Sequence, residues 1–181
     1  MLFLLIGPSG VGKTTILRHL HAKYGWKPVP TFTTRPPRPN EPDRVFVSNA
    51  QFEKLNEDDQ LYTTKFHFEH WYGEDRNAIA EATAGAEDNW YLDIAFAQIK
   101  NFDLPFTLKV IVLPENAVQL QAQLEHCGRS DRALEAHREL VQCEQCLETF
   151  AKQTDYLIVR NLPGGAEVAA DNIRGWKSSR A

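Results

Sequence analysis

GPSGVGKTT, residues 7–15, restricts the fold more than any other stretch, because of what flanks it. The residues before it, Leu2 to Ile6, are all apolar, which is the content of a strand buried on both faces. Those after it put Ile16, Leu17 and Leu20 on one helical face, and Gly25 supplies a stop. A buried strand that turns through glycines into a helix feeds a crossover, and crossovers join parallel strands. The turn itself fits G-x-x-x-x-G-K-[ST]. Gly7, Gly10 and Gly12, with Pro8, Ser9 and Val11 between them, let the backbone curl until its N–H groups converge on a phosphate chain. Lys13 brings a cation to the outer phosphates, the Thr14 hydroxyl is placed to ligate Mg2+, and Thr15 leads into the helix, whose N-terminal end is positive. The pattern predicts a P-loop that binds ATP with Mg2+.

The remaining chain alternates in the same way. Trp90 to Ile94, Leu108 to Leu113 and Tyr156 to Val159 read as buried strands, and a short strand is expected near Val29. Helices are predicted over about 75–84, 116–126 and 166–176, and a long one from the CGRSDR stretch to Phe150. Ser48 is placed to cap a helix carrying Phe52 and Leu55, and Leu61 to Phe68 has strand content. The expected fold class is α/β: a P-loop NTPase-type parallel sheet with helices on both faces, formed by one domain over 1–181. The stretch from about 33 to 86 breaks the alternation and is expected to be a small inserted subdomain at the sheet edge. Asp93 closes a buried strand at its carboxyl end, where ligands collect in parallel sheets. It could hold Mg2+ or its waters, or cap the next helix.

The formal net charge of -4 argues against a non-specific nucleic-acid binder. The apolar start ends at Ile6 with no basic residues before it, so it reads as a strand and not a signal peptide. No apolar run is long enough to span a membrane, and a cytoplasmic location is expected. Cys143 and Cys146 make a CxxC pair, but they share a helical stripe with Leu140, Leu147 and Phe150, and Cys127, His126 and His137 add no standard zinc spacing.

TTRPPRP, residues 33–39, holds two arginines on a proline-stiffened segment. Such a segment is either a loop that an adaptor domain reads or a clamp whose guanidinium forks fit a phosphate. It lies between GPSGVGKTT and the SNAQFEKL, WYG, LDI, IVLPENAVQLQAQL and DYLIVRN stretches. In that order and spacing, over nearly the whole chain, the sequence resembles the guanylate kinase family of P-loop nucleoside monophosphate kinases. The resemblance implies Mg-ATP as donor and GMP as the acceptor phosphomonoester. It makes Arg35, Arg38 and Tyr72 the clamp on the acceptor phosphate, and places a lid at about 126–137. Lys13, Asp93, Arg138 and Arg129 become the candidate catalytic residues, with Thr14 and Asp93 on the metal.

The sequence also departs from that family. Thr63 and Ala95 stand where carboxylates read guanine, Thr31 and Glu74 replace serines, and Arg44 falls where a phosphate-contacting tyrosine is expected. Gln123 and Cys127 occupy lid-arginine positions, for which Arg129 and Arg132 could substitute. Glu69 or Glu74 could replace the missing acids. Thr31, Thr63 and Glu74 are therefore candidate substrate contacts, and the runner-up to GMP as acceptor is another nucleotide or a sugar phosphate, as in the related ribose bisphosphate phosphokinases. Guanylate kinase-like scaffold modules, which only bind partners, degrade the P-loop; this chain keeps it. The partners expected are a small phosphomonoester, with no nucleic acid and no membrane, for a monomer or homodimer.

Overall fold

The structure, a computed structural model, describes residues 1–37, 41, 43–67, 69–85 and 87–179. Arg38 and Pro39 of the arginine segment, and Phe68 at the end of the predicted strand, lie outside the described residues. In chain order the first half forms β1 (Leu2–Ile6), α1 (Lys13–Tyr24), β2 (Lys27–Pro28), β3 (Thr31–Thr33), β4 (Arg44–Phe46), α2 (Asn49–Glu57), β5 (Leu61–His67), β6 (His70–Asp75) and α3 (Arg76–Ala82). The second half forms β7 (Trp90–Ile94), β8 (Thr107–Pro114), α4 (Ala117–His126), α5 (Ala133–Gln145), α6 (Leu147–Phe150), β9 (Tyr156–Asn161) and α7 (Ala166–Ser178). Two 3-10 segments, Phe96–Phe102 and Ser130–Arg132, join them.

The main sheet has the order β2-β7-β1-β8-β9 and is parallel throughout. Leu4 of β1 sits between Leu92 and Lys109, and every side chain of β1 is buried. That is why the strand is continuously apolar: helices cover both faces, α1 packed with α7 and α4 with α5. All these strands end their carboxyl edges on the side of the P-loop, so the loop, Asp93 and Asn161 come to one rim.

A second sheet, β4-β3-β6-β5, is built from the middle of the chain. Its side chains alternate. Thr31 of β3 faces Glu74 of β6 in register, Thr33 faces Tyr72, and Lys65 of β5 faces Tyr72 from the other side. The opposite face carries Phe66 and Trp71, whose rings lie 5.0 Å apart, and Phe52 of α2 stacks on Trp71 at 5.9 Å. α2 starts at Ser48, which closes a capping box with Gln51.

Two elements differ from the sequence expectation. The long helix to Phe150 is broken at Cys146, whose N–H bonds Cys143 O at 3.2 Å in a three-residue turn that tightens and ends α5. The strand near Val29 is two short strands, β2 and β3, because the chain changes sheets there: the Val29 N–H still donates to Tyr91 O on β7, while the Thr31 N–H donates to Asp43 O.

Candidate active site

The P-loop is held from behind. A side chain on Gly7 would put its Cβ 2.2 Å from Val112 O, and one on Gly12, where φ is 93°, 2.4 Å from Asn161 Nδ2. Only glycine fits at either place. Asn161, buried at the end of β9, donates to Val11 O at 2.8 Å and so ties the loop to the sheet edge. Gly10 packs on Leu124 of α4. Lys13 Nζ donates to Gly7 O at 2.7 Å and Pro8 O at 3.1 Å, folding back over the loop, and lies 3.6 Å from Asp93 Oδ1. The Ser9 N–H donates to a carboxylate oxygen of Glu139, on α5, at 2.8 Å. A loop amide thus holds an anionic oxygen, the role such an amide plays toward a phosphate. Thr14 and Asp93, both on the wall of the cleft, offer hard oxygen donors of the kind Mg2+ takes. Thr15 Oγ1 accepts from Arg18 at 3.3 Å instead.

The second sheet forms the facing wall. Arg35 is 6% exposed; its guanidinium donates to Glu41 at 2.6 Å and Pro36 O at 2.9 Å, and lies 5.4 Å from the Phe46 ring. One edge of the fork is therefore braced internally. Arg44 projects between the two walls, with Nη2 4.0 Å from Asp93 Oδ2 and Nε 3.5 Å from Asp43 Oδ2. Burial raises the Asp43 carboxyl above its ordinary value, and Arg44 opposes that. Glu74, 2% exposed, accepts from the Thr63 hydroxyl. Lys65 Nζ donates to Gln98 Oε1 at 2.6 Å and sits 5.6 Å from the Tyr72 ring. Burial lowers the Lys65 ammonium below its ordinary value; Glu74 and then Asp93 pull it back up.

Most of the residues singled out from sequence meet in this one cleft: Gly7, Ser9, Lys13, Thr14, Thr31, Arg35, Tyr72, Glu74, Asp93 and Arg129 all line it, joined by Arg44 and Arg132. Thr63 stands one layer behind, acting through Glu74. Arg138 lines an adjoining groove beside Phe96, Gln98 and Gln142. Several site residues carry no mark in the sequence. Glu41, Glu139 and Asn161 reach the site only through tertiary packing, from a loop, a helix and a far edge strand. Lys65 had a signal: Thr63, Lys65 and His67 alternate with exposed Thr64 and Phe66, so one inward residue on β5 predicts the next.

The family model for guanylate kinase matches residues 1–162. The guanylate kinase of Gloeobacter violaceus is 31% identical over 178 residues, covering 95% of this chain and 85% of the relative. That of Rhodospirillum rubrum is 31% identical over 170 residues, covering 89% and 76%. Among solved structures, guanylate kinase from Anaplasma phagocytophilum superposes with a TM-score of 0.68 at 20% identity, covering 99% of this chain and 85% of that one. Shikimate kinase from Acinetobacter baumannii, in complex with shikimate, superposes with a TM-score of 0.53 at 15% identity, covering 99% and 93%. Those two likenesses speak to the fold, an α/β sheet of the P-loop kinases. The family match over most of its length and the 31% identity to the Gloeobacter violaceus and Rhodospirillum rubrum relatives place this chain in the guanylate kinase family, as a P-loop kinase.

Proposed function

We propose that the protein transfers the γ-phosphoryl group of Mg-ATP to a small phosphomonoester, GMP by family. The observation that carries this reading is the opposition of the two walls: an anion-binding loop with Lys13 on one side of the cleft, and Arg35 with Tyr72 on the other. Two negatively charged substrates need that arrangement, since each must be neutralised before their oxygens and phosphorus can approach. A non-bridging oxygen of the acceptor phosphate attacks the γ-phosphorus in line, the bond from that phosphorus to the β,γ-bridging oxygen breaks, and ADP leaves. Lys13 and the loop amides hold the donor; Arg35 and Tyr72, with Arg38, hold the acceptor. Arg44, Arg129 and Arg132 on the cleft wall set positive charge around the transferred group. Thr14 and Asp93 would hold Mg2+, which would supply positive charge against the phosphates. We assign about 33–86 as the acceptor-binding part and about 126–137 as the lid, with Arg138 at the edge of the closed site.

Release of ADP from Mg-ATP on addition of GMP, roughly 10³-fold slower with Lys13→Ala, is the test. ADP release that is independent of any acceptor would leave an ATPase and sink the kinase reading. A second reading, a kinase for another phosphomonoester such as a ribose phosphate, draws on one observation: Thr63 and Ala95 present no carboxylate where the family reads guanine.

A further inference from the structure

Beyond the phosphate clamp, the acceptor wall carries three polar groups that the proposed transfer does not use. The first is a carboxylate in a new place. Thr63 holds a position that the family resemblance gives to an acid, and its hydroxyl donates to Glu74 on the neighbouring strand, so the acid stands on β6 instead of β5. The second is a cation. Lys65, two residues along β5 from Thr63, reaches the same wall as Ala95, the other position at which the resemblance expects an acid. The third is the Thr31 hydroxyl, on β3 directly opposite Glu74; it is buried, lines the cleft and, among the described residues, has no hydrogen-bond partner. A buried hydroxyl left without a hydrogen bond is unfavourable, so a group on a bound ligand is its natural partner.

The chemistry of these groups selects a shape. An ionised carboxylate only accepts, and one Glu74 oxygen already accepts from the Thr63 hydroxyl. An ammonium only donates, and Lys65 spends one of its protons on Gln98. A hydroxyl does either. A donor beside an acceptor complements a lactam edge, a carbonyl oxygen next to a ring N–H. The 6-oxopurines present that edge. A 6-aminopurine presents the reverse, an amine next to a bare ring nitrogen, which sets donor against donor and lone pair against carboxylate. Ala95 has no polar side-chain atom, so a 2-amino group on the purine meets no second acid there.

We propose that Lys65 and Glu74 select the acceptor by its lactam edge alone, so that hypoxanthine and guanine monophosphates are both accepted and adenine monophosphate is rejected. The proposal rests on the reading of this cleft as the acceptor site of a phosphotransferase.

The test is the ratio of kcat/KM among GMP, IMP, AMP and ribose 5-phosphate, with the full chain and saturating Mg-ATP. The expected result is IMP within about tenfold of GMP, and AMP lower by at least about 10³-fold, since a site built to bond a group rejects analogues lacking it. Lys65→Met is expected to raise KM for GMP and IMP about 10–100-fold. Its Mg-ATP affinity, read by calorimetry, and its melting temperature should hold, and Lys65→Arg should recover part of the loss. A GMP preference over IMP above about 100-fold, or AMP within tenfold of IMP, overturns the lactam-edge assignment while leaving a nucleotide kinase. Turnover of ribose 5-phosphate alone, or of no acceptor at all, overturns it together with the nucleotide reading of the cleft. The wild-type ratios decide the matter without any variant, so a Lys65 substitution that failed to fold would not protect the idea.

Discussion

Lys13 is held back by two loop carbonyls and an acid 3.6 Å away, so its charge is aimed before any nucleotide arrives. Replacing it with alanine removes charge stabilisation that no neighbour can restore, and kcat should fall by roughly 10³-fold. Arg35 needs a different design. Its guanidinium is paired with Glu41 in a buried setting, so Arg35→Ala alone strands a carboxylate and destabilises the fold by about 3–5 kcal/mol. Arg35→Ala combined with Glu41→Gln removes that complication. The double variant should raise the acceptor KM by about 10–100-fold, with KM for ATP little changed, because each charged hydrogen bond contributes about 1.5–3 kcal/mol. An equal rise in both KM values would show that the arginine organises the whole cleft instead of gripping the acceptor.

At the scale of elements, β6 is what builds the second sheet into the wall proposed to hold the acceptor. Gly73 lets α2 and β5 close on it: a Cβ there would lie 2.8 Å from Leu61 Cδ1, 3.0 Å from Thr63 O and 3.2 Å from Phe52 Cζ. Gly73→Ala should therefore destabilise by about 1–3 kcal/mol. It pushes on the backbone of Thr63, which orients Glu74, so acceptor KM should rise as the melting temperature falls. Ser48→Ala makes the contrast. It removes one side of a capping box on α2 and should lower stability by about 1 kcal/mol with acceptor KM unchanged. If the two variants disturb KM alike, the specific link through Thr63 is absent. The elements that carry packing were legible in the sequence, Phe52 on its capped helix among them. The break at Cys146 was not, since the apolar stripe runs on through Leu147 and Phe150 while the turn is a backbone event.

The whole molecule is closed by contacts between distant parts of the chain. Lys23 on α1 bonds Glu167 and Asp171 on α7, and Tyr24 donates to Asp171 at 2.5 Å. The Tyr24 hydrogen bond first, and then Lys23, hold the Asp171 carboxyl below its ordinary value of 3.8. An acid lowered in the folded state stabilises above its ordinary value and loses that contribution as pH falls through the folded one. The melting temperature should accordingly drop as pH is lowered below about 4, and Asp171→Asn should remove part of that drop. The groups are exposed, so salt should shrink the effect. A drop identical in the variant would exclude the tether as its source. Nucleotide binding reports on the same scale: Mg-ATP at 100 times its Kd should add about 2.7 kcal/mol of stability, and chelating the metal should cut the gain.

The strand–glycine–helix opening settled the α/β class, the P-loop and the rim at which Asp93 would lie, because those follow from local periodicity and from where glycine alone fits. Order and spacing of short motifs were enough to point to the family. Which side chains share the wall facing the P-loop was decided only in three dimensions. Arg35 is paired with a glutamate six residues on, the Ser9 N–H donates to a glutamate on α5, and the acid missing at Thr63 is present one strand over at Glu74. A hydrogen bond across strands depends on register and on the direction of a side chain, and neither is written in the residues of one strand alone.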